Sequence, residues 1–509
     1  MKKTRLAAID IGTNSIRCIV VDVDQQGRFM VHDDEKATVR LGENLNKSGV
    51  ISEAASVRAL EAIARMRKLI EGLRVSAVEA VATSAIRNAA NGSELVAALS
   101  RELGHDIRVI SGVEEAQLVA LSGLHNFAMT GNRYAMIDIG GGSVEIVIAL
   151  GSHIEECYSL DLGAVLMTER FFVSDPLKIS DYRKFQQYVR TMLREQFGDE
   201  NIIVQSIIGS GGTMTSLAGM AMNLRRQAFT SVHGHELLRS EVVHLLAMLM
   251  RKTMQERREL PGLNPERADI IVAGCGVVDE LMNFFGANIL RINERGIREG
   301  LVISCMRRLG LLPVQSAPRS WRKSVLEFAH SCHFDEAHSR HVAKMALAIF
   351  DHLAGVEGLK KADRKVLESA ALLHDIGYFI TYDSHHKHSY HLIRHANLFG
   401  LTPREREMAA QVARYHRKAL PKKKHQEFSL LSEKDQDVVS KLGGILRLCD
   451  GLDRRRNGLV EVVNVEKVNN LFRVRLLGTE DISVEIFGGN AKRDLFEKAF
   501  GAELLLVDE

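Results

Sequence analysis

Two stretches of this 509-residue chain share one chemical plan. Ala8-Ile9-Asp10-Ile11-Gly12-Thr13-Asn14-Ser15 recurs as Met136-Ile137-Asp138-Ile139-Gly140-Gly141-Gly142-Ser143. Each is an apolar run, an aspartate and a small-residue turn ending in a hydroxyl, followed by a second apolar run at 19–21 or 146–148. The pattern predicts a β-hairpin in both places, with the aspartate at the end of a buried strand. A Gly-rich turn exposes consecutive backbone N–H groups that cradle a phosphate oxygen. A carboxylate beside it suits a hydrated Mg²⁺. Two copies 128 residues apart (138 − 10) predict a duplicated α/β unit with a phosphate clamped between its halves.

The flanking sequence supplies elements to hold these turns. Residues 6–9, 17–23, 78–82 and 107–110 read as strands, the last running through Ser111-Gly112-Val113-Glu114-Glu115-Ala116 into a helix. Val57, Leu60, Ile63, Met66 and Ile70 recur at helical spacing, predicting a helix over 52–72 that Ser52 caps through Ala55. Two more Gly-rich turns follow strand-like runs. One is Ser206-Ile207-Ile208-Gly209-Ser210-Gly211-Gly212-Thr213; the other lies within 268–278, at Gly274-Cys275-Gly276.

Pro313 and Pro318 mark a linker at 311–318, beyond which the character changes. Residues 320–456 read as helices, and thirteen of the 20 histidines fall between His330 and His425, which makes this region the place to look for metal ligands. Residues 459–465, 471–477 and 482–486 then read as strands, followed by a short helix and a terminal strand at 504–507. The predicted domains are 1–125, 126–310, 319–457 and 458–509.

Composition narrows the partners. Basic and acidic residues nearly cancel (67 against 64, net +3), which argues against bulk nucleic-acid binding. The six scattered cysteines form no CxxC pair, arguing for reduced thiols in the cytoplasm. No run of about 18 apolar residues predicts a membrane span. The one dense cluster of positive charge is Arg414, Arg417, Lys418, Lys422, Lys423 and Lys424, around Pro421. It suits the wall of a channel for a long polyanion.

The turns resemble the phosphate motifs of the actin/Hsp70/sugar-kinase superfamily, a ribonuclease-H-like fold. Asp10–Ser15, Ile110–Ala116, Asp138–Glu145 and Glu294–Gly300 resemble one branch, the exopolyphosphatase/guanosine pentaphosphate phosphohydrolase family. The resemblance implies an α/β fold of two actin-like domains, an all-α HD-like domain and a small α+β C-terminal domain. It also implies roles: Glu115 the general base, Glu145 and Asp138 acids around metal and water, and Arg87 a phosphate contact. Thr13, Asn14, Ser15, Gly141, Gly142, Ser143, Gly211, Gly212 and Thr213 would form the phosphate cradle. Asp10, Asp138 and Glu145 would hold Mg²⁺.

In the second half, His341, His374-Asp375 and Asp450 resemble the H…HD…D pattern of HD-superfamily metal phosphohydrolases. Imidazole and carboxylate together suit several divalent metals. His388 and His416 are candidates for a second metal there.

The chemistry is consistent with the resemblance. Phosphoanhydride hydrolysis needs in-line positioning and neutralisation of charge on the equatorial oxygens. Arginine and backbone N–H groups supply this without a proton to lose. The expected reaction is release of terminal orthophosphate from inorganic polyphosphate, with pppGpp (yielding ppGpp) as the alternative substrate at the same site. A non-catalytic actin-like nucleotide-binding regulator, or an additional phosphohydrolase at the HD site, are the further alternatives. The family suggests a homodimer.

Overall fold

The computed structural model describes residues 4–25, 27–129, 131–198, 202–226, 231–312, 320–354, 357–478 and 480–508. The chain divides into two compact units, one formed by residues 1–225 with 232–317 and the other mainly by residues from 318 onward. Most of the predicted linker, residues 313–319, lies outside the described residues.

The first unit holds two sheets of matching topology. In the first, strands β1 (Thr4–Ile11), β2 (Ser15–Val23), β3 (Phe29–Thr38), β4 (Ala77–Ala82) and β5 (Ile107–Val109) take the order β3-β2-β1-β4-β5. In the second, β6 (Arg133–Ile139), β7 (Val144–Leu150), β8 (His153–Leu160), β9 (Ser206–Ser210), β10 (Glu236–Leu238) and β11 (Ile289–Ile292) run β10-β11-β9-β6-β7-β8. The shared pattern is an antiparallel meander followed by a parallel strand at the side of its first member. β1 and β6 are central strands buried on both faces, which explains their unbroken apolar runs.

Local signals place several elements as expected. Ser52 Oγ accepts the Ala55 N–H at 3.3 Å and starts the helix Glu53–Gly72, whose buried face carries Ala55, Ala59, Ala62, Ile63, Met66 and Ile70. Such a cap contributes about 1 kcal/mol. Val57, expected on that stripe, is 48% exposed.

One predicted strand is a helix. Residues 268–270 form a turn after the short 3-10 helix Pro265–Arg267, and residues 271–278 open the helix Ile271–Phe284, whose first twelve residues are all buried. A run apolar on every side fits a buried strand or a buried helix equally, so periodicity does not separate them. Gly274 lets this helix press onto Thr213: a Cβ there would lie 2.6 Å from the Thr213 hydroxyl.

The second unit is helical, built around Trp321–Ser331, Glu336–Leu353, Asp363–Leu373, His385–His395, Pro403–Arg414 and Glu433–Leu452. Strands β12 (Val460–Val468), β13 (Leu471–Gly478) and β14 (Glu503–Asp508) form a three-stranded sheet in that order. Leu448 of the long helix, Phe472 of β13 and Phe496 belong to one core. The predicted strand at 482–486 is instead the start of the helix Ser483–Asn490. Its glycines let it dock backbone to backbone: a Cβ on Gly488 would meet the Gly451 carbonyl at 2.3 Å.

All six cysteines are free thiols. Among the described residues no helix is long and apolar enough to cross a membrane.

Candidate active site

The two hairpin turns repeat in geometry as well as sequence. Gly12 N–H donates to the Ser15 carbonyl at 3.1 Å, and Gly140 N–H to the Ser143 carbonyl at 3.0 Å. The turns face each other across a cleft of about 140 Å³ and touch: a Cβ on Gly141 would lie 2.8 Å from Thr13 Cβ, and one on Gly142 only 2.4 Å from Ser84 Oγ. Thr13, Asn14, Ser15, Gly141, Ser143, Gly211 and Gly212 all line the cleft, as does the N-terminus of the helix Gly212–Leu224. That terminus presents unpaired N–H groups suited to an anion.

Register places the acids. Asp10 pairs with Arg17 across the first hairpin, and Asp138 with Glu145 across the second. Equivalent positions seven residues on (17 − 10 and 145 − 138) thus carry a cation in one half and a carboxylate in the other. Glu145 is buried and accepts the Ser159 hydroxyl at 2.9 Å; Asp10 and Asp138 are half-buried at the cleft wall. Burial, opposed by Arg298 and Arg17, leaves the Asp10 carboxyl raised to about 6. Burial also raises Asp138, and burial with Asp138 nearby raises Glu145.

Glu115 enters from a capped helix start. Ser111 Oγ accepts the Glu114 N–H at 3.1 Å, opening the helix Gly112–Asn126. Glu114 turns outward to Arg108, while Glu115 turns into the cleft with its side chain 12% exposed. Burial first, then Glu145 and Asp10, push the Glu115 carboxyl well above the usual range; Arg87 opposes them. Arg87 Nη1 lies 3.4 Å from Glu115 Oε2 and donates to the Ile110 carbonyl at 2.8 Å. It stands behind the carboxylate rather than on the cleft wall.

Three arginines beyond those predicted, Arg17, Arg267 and Arg298, line the cleft. Arg267 is 9% exposed, and its Nε has no hydrogen-bond partner. Burial, then Arg17, lowers it to about 10. A buried cation with an unmet donor suits an incoming phosphate. The hairpin symmetry was the signal for Arg17; no local pattern marked Arg267.

Thr213 is a correction. It is fully buried against Gly274 and lies off the cleft, whereas Thr215, two residues on, lines it. Gly142 packs between Ser84 and Thr13 and lines an adjoining recess instead.

The hard carboxylate oxygens of Asp10, Asp138 and Glu145 fit Mg²⁺ in donor type and in their raised, charge-crowded state. They do not close into a three-ligand set: among the described residues, triads with ligand atoms within 4.8 Å of one another occur only in the helical unit. Mg²⁺ here would keep one or two carboxylates, with water and substrate oxygens completing its shell.

Those helical triads are His338–His374–Asp450 and Asp375–His385–His416. The predicted His374, Asp375, Asp450 and His416 are therefore brought together, with two corrections. His338 takes the position expected of His341, and His385 that of His388. Each imidazole is fixed through Nδ1: His338 to Asp453 (2.7 Å), and His374, His385 and His416 to the carbonyls of Ala371, Tyr382 and Ala413 (2.8, 3.0 and 2.6 Å). Every Nε2 is left facing the carboxylates. His374, His385 and His416 Nε2 lie 3.6, 3.3 and 3.6 Å from Asp375 Oδ1, and His338 Nε2 lies 3.5 Å from Asp450 Oδ1. Nε2 of His338 and of His374 is buried with no hydrogen-bond partner. Outer atoms that fix ring orientation and inner atoms left unmet are what a metal site requires.

Of the predicted basic run, Arg417 lines the cavity over these histidines. Arg414 is engaged by Glu427 at 3.5 Å and lies over the Tyr390 ring, and Lys422, Lys423 and Lys424 are exposed on a loop.

Comparison with known proteins bears on both units. The Ppx/GppA phosphatase family matches residues 19–309, and domain III of that family matches residues 321–482. Exopolyphosphatase 2 of Mycobacterium tuberculosis is 31% identical over 318 residues, spanning 60% of this chain and 99% of that protein. The crystal structure of the Aquifex aeolicus Ppx/GppA family member is 28% identical with a TM-score of 0.53, covering 60% of this chain and 99% of that one. That of an exopolyphosphatase from Cytophaga hutchinsonii is 26% identical with a TM-score of 0.57, covering 62% and 100%. The fold is thus the mixed α/β, actin-like one of these proteins, followed by a helical C-terminal part.

Proposed function

The chain belongs to the Ppx/GppA phosphatase family and is a phosphoanhydride hydrolase, and we propose that it releases terminal orthophosphate from inorganic polyphosphate in the cleft between its two sheets. The observation that carries this reading is Glu115: a buried carboxylate, raised by its surroundings, aimed at facing phosphate-cradle turns.

The terminal phosphoryl group lies among the N–H groups of the two turns, and Arg17, Arg267 and Arg298 neutralise its equatorial oxygens and those of the next phosphate. Glu115 accepts a proton from a water as that water's oxygen bonds to the terminal phosphorus. The bond to the bridging oxygen breaks, its electron pair remaining on the shortened chain. Arg87 holds Glu115 and keeps a fraction of it ionised. Mg²⁺, when bound by Asp10, Asp138 or Glu145, supplies Lewis-acid polarisation of phosphate oxygens. The basic loop at Lys422–Lys424 offers the helical unit a contact for a polyanion.

The helical unit reads as an HD-like domain holding divalent metal at His338, His374, Asp375 and Asp450, completed by His385 and His416. A cytoplasmic homodimer completes the proposal.

Phosphate release by the wild type and Glu115→Gln, on polyphosphate and on pppGpp, tests it. The expected result is a higher kcat/KM on polyphosphate, with both reactions lost in the variant. A higher value on pppGpp transfers the reading to that substrate, and release by Glu115→Gln at the wild-type rate overturns the site.

A further inference from the structure

β3, the edge strand of the first sheet, presents a row of polar side chains to the second half of its unit. Asp34, Lys36 and Thr38 alternate along the strand and so share one face. Ala37 and Val39, between and beyond them, are buried in the core on the other side. Each member of the polar row has a partner far away in the sequence. Lys36 Nζ lies 2.7 Å from Glu266 Oε2, and the Thr38 hydroxyl donates to the same oxygen at 3.0 Å. Arg298 grips both oxygens of Asp34, Nη2 donating to Oδ2 at 3.2 Å. Arg40, two residues past Thr38, continues the row: its Nη1 lies 3.4 Å from Asp269 Oδ2.

These partners converge on the cleft. Glu266 and Asp269 flank Arg267, and Arg267 and Arg298 both line the cleft wall. Arg17, the third cleft arginine, is the cross-strand neighbour of Lys36. The end of the row is tied to the phosphate turn as well: the Val39 and Arg40 N–H groups both donate to the Asn14 carbonyl, at 3.1 and 2.9 Å. Arg40 does so at φ +50°, a region that residues with side chains seldom occupy. Lys36 and Thr38 hold the Glu266 carboxyl below its ordinary range.

Partly exposed ion pairs of this kind each contribute only about 0.2–1 kcal/mol, so they do not decide whether the chain folds. What they fix is position. Arg267 ends a 3-10 helix of three residues and passes over Gly212 into the cleft. A group that orients substrate loses about a hundredfold in rate when displaced by about 1 Å.

We propose that the polar face of β3 is a clasp across the cleft, in which Lys36, Thr38 and Arg40 position Arg267, and Asp34 positions Arg298, for the oxygens of a bound phosphate chain. None of the four lines the cleft, so they are positioning residues. The proposal rests on the phosphate reading of the cleft given above.

Charge reversal tests it, with polyphosphate as substrate and pppGpp where polyphosphate gives no release. Lys36→Glu and Glu266→Lys each set two like charges face to face, and the double variant restores an opposite pair. Each single variant is expected to raise KM about fivefold, with kcat within about twofold and Tm nearly unchanged, and the double variant to return KM to within about twofold of wild type. Charges acting only through the field of the cleft give another pattern: Lys36→Glu weakens binding of the anion and Glu266→Lys strengthens it. Opposite signs in the two single variants, or no recovery in the double, overturn the clasp. Asp34→Asn leaves Arg298 charged but without its grip, and is expected to raise KM about threefold; an unchanged or lowered KM overturns the positioning of Arg298. Wild-type protein that releases phosphate from neither substrate removes the reading beneath the clasp, whereas wild-type release with every variant at the wild-type KM overturns the clasp alone.

Discussion

Arg87 holds Nη1 3.4 Å from Oε2 of Glu115 while the same nitrogen donates to the Ile110 carbonyl at 2.8 Å. The carbonyl fixes the guanidinium, and the guanidinium moderates a carboxylate that its other neighbours drive toward protonation. A general base works only when ionised, so a raised value means activity that rises with pH above the ordinary carboxylate range. In Arg87→Met the opposing charge is gone. The acid limb of kcat/KM against pH is expected to move to higher pH, with the plateau lowered less than the value at pH 6. An unmoved limb would place the titrating base elsewhere.

Glu115→Gln keeps the shape of the base and removes its proton affinity. The expected loss in kcat is about 10²–10⁴-fold, with binding of non-hydrolysed substrate retained. Rapid-quench measurement of the first turnover checks that chemistry, rather than product release, carries the loss.

Asp10 illustrates a site that costs stability. Its folded value of about 6 exceeds the ordinary 3.8, so the folded chain holds this proton more tightly than the unfolded chain does. Stability is therefore favoured at low pH and falls as pH rises from about 4 to 6. Above that window the carboxylate is charged among Asp138, Glu115 and Glu145. In the metal-free chain Asp10→Asn is expected to gain about 2 kcal/mol at pH 7.5, allowing for partial exposure to the cleft, and nothing near pH 3.5. Urea unfolding at the two pH values, in chelator, reads the difference.

Gly211 has φ +93°, and a Cβ there would lie 2.5 Å from Asp138 Oδ1 and 2.8 Å from the Ile139 carbonyl. Gly211→Ala is expected to cost about 1–3 kcal/mol and to displace Asp138, lowering activity more than stability. Thermal unfolding beside phosphate release separates the two effects.

Arg267 meets the cleft with a buried guanidinium and an unpartnered Nε. Arg267→Met keeps the volume and removes the charge. KM for polyphosphate is expected to rise at least tenfold, by the loss of a charge-assisted hydrogen bond of about 1.5–3 kcal/mol. Unchanged KM with reduced kcat would assign Arg267 to the transition state alone.

Where a signal is local, the chain spells it out. The paired Asp-Ile-Gly hairpins, the Ser52 cap and the helix start that carries Glu115 each depend on residues within a few positions of one another, and the sequence alone predicts them. Register then determines that Asp10 and Asp138 fall at matching strand ends. Other features were settled only by packing. His338 and His341 are three residues apart, as are His385 and His388. Residues at that spacing share a helix face, so spacing cannot say which imidazole points inward. The neighbouring helices decide that, and they select His338 and His385. The run at 268–278 is apolar on all sides, so its period carries no information, and burial between helices made it a helix. Arg267 reaches the cleft because Gly212 lacks a side chain where its guanidinium lies, 2.1 Å from where a Cβ would stand. Periodicity reports which face of an element is buried; only the tertiary structure determines what that face meets.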